Sequence, residues 1–335
     1  MSNDICITLD YELCLGYKTG SVHKSLILPM EELVKVFDRY NIKATLMIDA
    51  AYLLMLKKNK DKYDALENDY NLIVNQLRGL SENGYSIQLH IHPQWYYSYF
   101  DGNEWKLDFN HYKLSDMDSK SVPVFFEESK SLLESIIKKK VVAFRAGGYS
   151  LQSYKDHYNL LVSNGIKIDT SAIPGKMEKS KYQWYDYRDT PRHKYKFSNN
   201  ISKIDDDGKI LEIPVSTVSF NPIHYIFLKY RIENFHSFLP FSEGQGIELT
   251  YPLNIRMWNL FKQLFRIKIA DASIDGFASC LLPLIYEKYK IISDDNIFVI
   301  LGHPKGASAK SIHFTEVFIK NTIGKSTYKT IEEFL

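Results

Sequence analysis

Apolar residues in this chain recur in two rhythms, and the rhythms take turns. Ile5–Leu9 is a dense apolar run that predicts a strand, and Pro29–Tyr40 carries Met30, Leu33, Val34 and Phe37 at helical spacing. Ala44–Ile48 predicts a second strand. Asp69–Asn83 reads as a helix stopped by Gly84, and Tyr85–Ile91 as a third strand. Phe125–Lys139 is helical and Val141–Phe144 extended. Leu151–Ser163 is a helix halted near Gly165, and Ile166–Ile168, Ile210–Ile213 and Ile297–Leu301 are further short strands. Strands alternating with helices imply a parallel sheet joined by crossover helices. The expected outcome is an α/β barrel or near-barrel with its site at the C-terminal ends of the strands. Two regions break the rhythm. Lys176–Asp207 is polar and loop-like, with a turn at Asp205, Asp206, Asp207 and Gly208. Asn221–Lys268 is aromatic and helix-prone, and is expected to be an elaboration near the site mouth of a single domain spanning 1–335.

The chemistry gathers where the predicted strands end. Side chains two apart on a strand share a face, so Asp10 and Glu12 project together from the first strand, and His90 and His92, before Pro93, from the third. The fourth closes on Arg145-Ala146-Gly147-Gly148-Tyr149, and the last on Leu301-Gly302-His303-Pro304. Each signal has a bland reading. A strand-end Asp is often a turn residue, a His-x-His pair often only packs, and Arg145 could be an ordinary ion-pair partner. Polar residues at the ends of several parallel strands nevertheless converge on one mouth. Two neutral imidazoles and a carboxylate form a common three-ligand zinc site that keeps a position for water. The metal lowers the pKa of that water and polarises a carbonyl. A second carboxylate can take the water's proton, and a histidine across the site can protonate a leaving nitrogen. His23, His111, His157, His193, His224, His236 and His313 have no such context.

Composition narrows the function classes. With 42 basic and 40 acidic side chains the net charge is +2, which argues against a polyanion binder and so against nucleic acid. No stretch reaches the length of a membrane-spanning helix, and no signal peptide is visible at the N-terminus. Three cysteines (Cys6, Cys14, Cys280) without a CxxC pair fit a reduced, cytoplasmic setting. The 24 tyrosines and 4 tryptophans mostly suit core packing, but the cluster Trp95, Tyr96, Tyr97, Tyr99 and Trp105 follows the histidine pair directly. Aromatic faces there would suit the apolar face of a sugar ring.

In this order the motifs resemble the polysaccharide deacetylases of the NodB-homology type, carbohydrate esterase family four, over roughly residues 5 to 305. That family opens on Thr-Phe-Asp-Asp, matched by Thr8-Leu9-Asp10. Its arginine motif is matched by Arg145 to Tyr149, its later Asp by Asp169, and its closing Leu-x-His by Leu301-Gly302-His303. The resemblance implies a distorted (β/α) barrel. It further implies Asp10 as general base oriented by Arg145, His303 as general acid with Asp169 its candidate partner, and a divalent metal, most readily Zn²⁺. Zinc, cobalt, nickel and manganese all suit such donors. The chain departs from the family where Tyr11 replaces the metal-binding Asp, Glu12 follows one position later, and the second histidine is His92, with Gln94 at the family's place. The pattern looks like a divergent branch associated with bacterial surface polysaccharides. There the metal falls to Glu12, His90 and His92, although Asp10 and Glu12 could exchange roles. Tyr11, Trp95 and Tyr149 are expected to face substrate. The implied activity is removal of an N-acyl, most simply N-acetyl, group from a small, nucleotide-linked or lipid-linked amino sugar during lipopolysaccharide or capsule synthesis. Hydrolysis of another C–N bond (a formamide or cyclic amide) and a sugar-binding barrel without turnover are the competing readings.

Overall fold

Asp4–Tyr11 (β1) is buried along nearly its whole length, and a parallel strand covered on both faces needs no polar side, hence its run of apolar residues. The computed structural model describes residues 3–152, 155–235, 237–246, 267–293 and 295–335. The further strands are Thr45–Asp49 (β2), Ser86–Ile91 (β3), Ala143–Ala146 (β4), Ile168–Asp169 (β5), Tyr195–Phe197 (β6), Ile210–Glu212 (β7), Thr217–Phe220 (β8), Lys268–Asp271 (β9), Ile297–Gly302 (β10) and Thr327–Tyr328 (β11). Among the described residues nine of them form one sheet in the order β6-β7-β5-β4-β3-β2-β1-β10, with β11 also on β1. Its pairs are parallel except β6 with β7.

The sheet curls nearly shut. Past β7, Ile213 N–H donates to Asp169 O at 2.9 Å and Val215 N–H to Ala172 O at 3.0 Å. The next residue, Ser216, donates to Val299 O of β10 at 3.1 Å, bringing the far edge back to the other side. The result is the expected distorted (β/α) barrel. The helices Leu28–Arg39 (α1), Ala50–Asn59 (α2), Asp64–Glu82 (α3), Ser121–Ile137 (α4), Lys155–Ser163 (α5), Pro222–Phe235 (α6), Ala278–Ile292 (α7) and Ala309–Thr322 (α8) accompany it. α1 inserts Met30, Leu33 and Phe37 fully into the core, and each contributes about 1.5–3 kcal/mol of burial.

Two expectations need correction, and one helix lies where none is expected. α2 went unseen because Ala50–Leu54 and Leu56 are all buried, so no polar stripe marks a helix. Lys176–Asp207 is not merely loop: Met177–Lys179 and Trp184–Asp186 form a hairpin, and β6 joins the main sheet. Strands of three residues are too short for periodicity to reveal. α3 begins at Asp64 rather than Asp69. In the aromatic insertion α6 is followed by residues that return to the body, Phe241 N–H donating to Ala307 O at 3.0 Å and Gln245 N–H to Lys18 O at 2.8 Å. His236 and residues 247–266 of that insertion lie outside the described residues. No described helix is long and apolar enough to cross a membrane.

Candidate metal centre

The alternation of β1 sends Thr8, Asp10 and Glu12 to the barrel interior. Next door, β3 delivers His90, and the residue just past its end is His92. Glu12 Oε2 is the meeting point: His90 Nε2 lies 3.1 Å from it and His92 Nε2 2.5 Å. All three residues are buried, and their donor atoms lie within 4.8 Å of one another.

The histidines are prepared as ligands in different ways. His90 Nδ1–H donates to the carbonyl of Arg145 at 2.8 Å, which fixes the ring and turns Nε2 toward Glu12, the usual arrangement behind a metal-bound imidazole. Neither ring nitrogen of His92 has a hydrogen-bond partner among the described residues. A buried imidazole aimed at a carboxylate oxygen without hydrogen-bond alignment suits donors that share a cation. Gly147 makes this packing possible, since a Cβ there would stand 2.5 Å from Ile91 O and 2.7 Å from His92 Nδ1.

Electrostatics bind the cluster together. Burial pushes Glu12 up, but the charges of Lys305 and His92 and the hydrogen bond from His90 outweigh it and hold the carboxyl well below its ordinary range. Burial opposes a proton on His90, yet Asp10, Glu12 and Asp49 together raise it. A cation at this point, proton or metal, is therefore favoured. Glu12 Oε1 accepts from Lys305 Nζ at 2.6 Å, and the same ammonium reaches Leu13 O at 3.1 Å.

Arg145, fully buried, is the hub on the other side. Its Nη1 donates to Asp10 Oδ1 at 2.6 Å, its Nη2 to Thr8 Oγ1 at 2.8 Å and Thr170 Oγ1 at 3.1 Å, and its Nε to Thr170 O at 2.9 Å. Asp10 thus has one oxygen pinned and Oδ2 facing His303 Nε2 at 3.6 Å. His303 is gripped by Asp275, which accepts its backbone N–H at 2.9 Å and its Nδ1–H at 2.6 Å. Burial disfavours the imidazolium, but Asp275 and then Asp10 overcome that and raise His303 to about 9.

Asp10, Glu12, His90, His92, Tyr149 and His303 line one cavity of about 380 Å³. Tyr149 follows Gly148, and both adopt left-handed backbone, φ 58° and 56°; such strain in a non-glycine residue is characteristic of functional sites. Three residues expected here lie elsewhere. Tyr11, on the opposite face of β1, donates to Gln76 Oε1 at 2.8 Å. Trp95 is in the core, its indole donating to Asp49 Oδ2 at 2.7 Å. Asp169 is buried with its carboxylate on Ser171 N and Oγ, at 3.0 and 2.5 Å, so the carboxylate on His303 is Asp275 and not Asp169. Gln94 is buried away from the cavity lining. Sequence reasoning missed Asp49, Asp275 and Lys305. Asp49 ends β2 and also accepts the backbone N–H of His92 at 3.2 Å, so the strand-end logic could have found it. Lys305 follows His303 by two positions, and Asp275 had no local signal.

No family model matches the sequence, and no curated protein matches it. Among solved structures, the chain is similar to a GH57 branching enzyme of Thermococcus kodakaraensis, with 11% identity and a TM-score of 0.50, covering 100% of this chain and 71% of that one. It is also similar to a protein assigned as a polysaccharide deacetylase in Mycobacterium smegmatis (13% identity, TM-score 0.49, covering 100% and 90%). A further structure, assigned likewise in Pseudomonas aeruginosa, has 12% identity and a TM-score of 0.49, covering 98% and 88%. The likeness to the branching enzyme is one of fold, a curled α/β barrel.

Proposed function

We propose that the protein is a metal-dependent deacylase of N-acyl amino sugars, a hydrolase of C–N bonds other than peptide bonds. The observation that carries this reading is the convergence of two buried imidazoles on Glu12 Oε2, with the Arg145–Asp10 pair and His303 around the same cavity. Glu12, His90 and His92 would hold the ion, for which zinc suits the donor set best. Bound there, it would supply an acidified water and polarise the acyl oxygen.

The remaining work falls to the chain's own groups. Of the two carboxylates, only Glu12 touches both imidazoles, which favours it as ligand. Asp10, with Oδ1 tied to Arg145 and Oδ2 toward the cavity, is the base that takes the proton of the attacking water. His303, charged and oriented by Asp275, gives its Nε2 proton to the departing amine, which leaves poorly as an anion. Tyr149 stands at the cavity wall for the sugar. The whole chain is read as one barrel domain with an elaboration at about 221–268, of whose described residues Gly246 lines the cavity. A cytoplasmic sugar intermediate of surface-polysaccharide synthesis is the substrate this reading favours.

The test separates the two carboxylates. Asp10→Asn should retain metal and lose acetate release from an N-acetyl amino sugar, whereas Glu12→Gln should lose metal, measured by elemental analysis. The reverse pattern exchanges their roles, and a wild-type protein that holds metal but releases neither acetate nor formate removes the hydrolase reading.

A further inference from the structure

Beside the histidine pair, the cavity is lined by two cationic groups, His303 and Lys305, and one tight turn carries both. The turn Pro304–Gly306 follows β10. Gly306 N–H donates to His303 O at 2.9 Å and Ala307 N–H to Pro304 O at 3.0 Å, closing it. Both groups are thereby set beside Glu12 Oε1, Lys305 Nζ at 2.6 Å and His303 Nε2 at 3.8 Å. Their charges differ in permanence. An acid at His303 gives up its charge when it protonates the amine. Lys305 has no such duty, and a lysine held on a carboxylate stays charged at neutral pH. Arg145 is a permanent cation too, but it is fully buried, bonded to Asp10, Thr8 and Thr170, and absent from the cavity lining. Among the described residues, Lys305 is the one lysine or arginine that lines this cavity.

A simpler role for Lys305 would be to neutralise the buried Glu12. That role fits a metal ligand poorly, because a fixed positive charge beside the ligand opposes the ion it must hold. It also leaves a donor over. An ammonium has three N–H groups. Glu12 Oε1 takes one and Leu13 O, at 3.1 Å, another. The third has no acceptor among the described residues, and the side chain that carries it lines the cavity. Acyl hydrolysis brings negative charge into that space. As the water oxygen bonds to the acyl carbon, the water's proton passes to Asp10 and the C=O π pair moves onto the acyl oxygen. When that pair returns, the C–N bond breaks and His303 protonates the nitrogen. Between the two events the acyl oxygen is an anion, and a donor fixed in advance stabilises it without reorganisation.

We infer that Lys305 is a catalytic residue whose third N–H binds this oxyanion, with the lysine keeping its own proton throughout. The inference rests on the deacylase reading for its reaction, but its preference for charge can be measured without turnover. Methylphosphonate has the tetrahedral shape and negative charge of the attacked acetyl group, whereas acetamide is planar and neutral. In calorimetric titration of the zinc-loaded protein, methylphosphonate should bind more tightly than acetamide by roughly tenfold or more. Lys305→Met should weaken methylphosphonate by roughly the same factor and acetamide by less than about twofold, with zinc content kept. On an N-acetyl amino sugar it should lower kcat by roughly 10²- to 10³-fold while KM changes less than about threefold. Lys305→Gln, which keeps a neutral donor for Glu12, carries the same comparison if the Met variant fails to fold or to hold zinc. Three results would overturn the inference: no preference for methylphosphonate in the wild type, an affinity for it that survives both substitutions, or a raised KM with kcat preserved. Failure of the deacylase reading looks different. The methylphosphonate preference and its loss in the variants persist, which supports the anion site at Lys305, but the wild type releases no acetate.

Discussion

The metal-side cradle and the His303 corner face each other across one cavity, and they are built on opposite terms. In the cradle every ionisable group is nearly sealed, His90 and His92 being 1% and 2% exposed, and each is fixed by strand backbone or by its neighbour. At the corner the His303 side chain is 21% exposed and hangs on one carboxylate, Asp275, contributed by a loop. A ligand set must keep fixed, bare donors pointing at one place, which a strand end does well. A general acid must carry a proton, reach solvent to recover it, and change charge each turnover, which a tethered loop histidine does well. The same residue type thus serves two ends because its surroundings differ.

The largest effect should come from breaking the cradle. His90→Ala together with His92→Ala is expected to abolish stoichiometric metal and reduce turnover to background, read by elemental analysis and acyl release. The barrel should stay folded by circular dichroism. Leaving the Arg145 carbonyl without its donor should still cost about 1–3 kcal/mol in chemical denaturation. Full metal occupancy in the double variant would show that the convergence on Glu12 is only packing. The next effect belongs to the corner. His303→Ala should lower the rate by roughly 10²- to 10⁴-fold, the usual share of an acid catalyst, with metal content unchanged. If metal is lost as well, the two regions are one unit and the contrast between them fails.

How far the sequence carried this contrast depends on the range of the contacts. Period-two alternation and parallel strands bring Asp10, Glu12, His90, Arg145 and His303 to one end, and these rules act along each strand locally. The same alternation puts Tyr11 on the outer face, away from the substrate side. For Trp95, nearness in sequence to the histidines is not nearness to the cavity: the tight turn Pro93–Tyr97 swings its ring into the core. Asp275 was out of reach for another reason. It meets His303 because Ser273 bridges to Leu301 beside β10, a pairing between segments whose connection no periodicity announces. Lys305 could be seen only once Glu12 had a second oxygen to satisfy.

The smallest and most discriminating change is Asp275→Asn, which keeps the shape of the corner and removes its charge. The direction follows from the pairing. Asp275 raises His303 to about 9, so in the wild type the acid keeps its proton, and activity persists, until pH rises through that value. Without the carboxylate the imidazolium loses its main support while burial still opposes it, and its pKa falls toward the ordinary ~6.5. The alkaline limb of kcat should therefore move to lower pH. Near pH 6, where His303 is still mostly protonated in both proteins, rates should agree within about twofold. Near pH 8 the variant should be slower by about tenfold or more, since a group with a pKa of ~6.5 is then almost wholly neutral. Metal content should match the wild type at both pH values, because Asp275 touches His303 and none of Glu12, His90 or His92. An unmoved alkaline limb would mean that the proton reaching the amine does not come from His303, even if His303→Ala is slow.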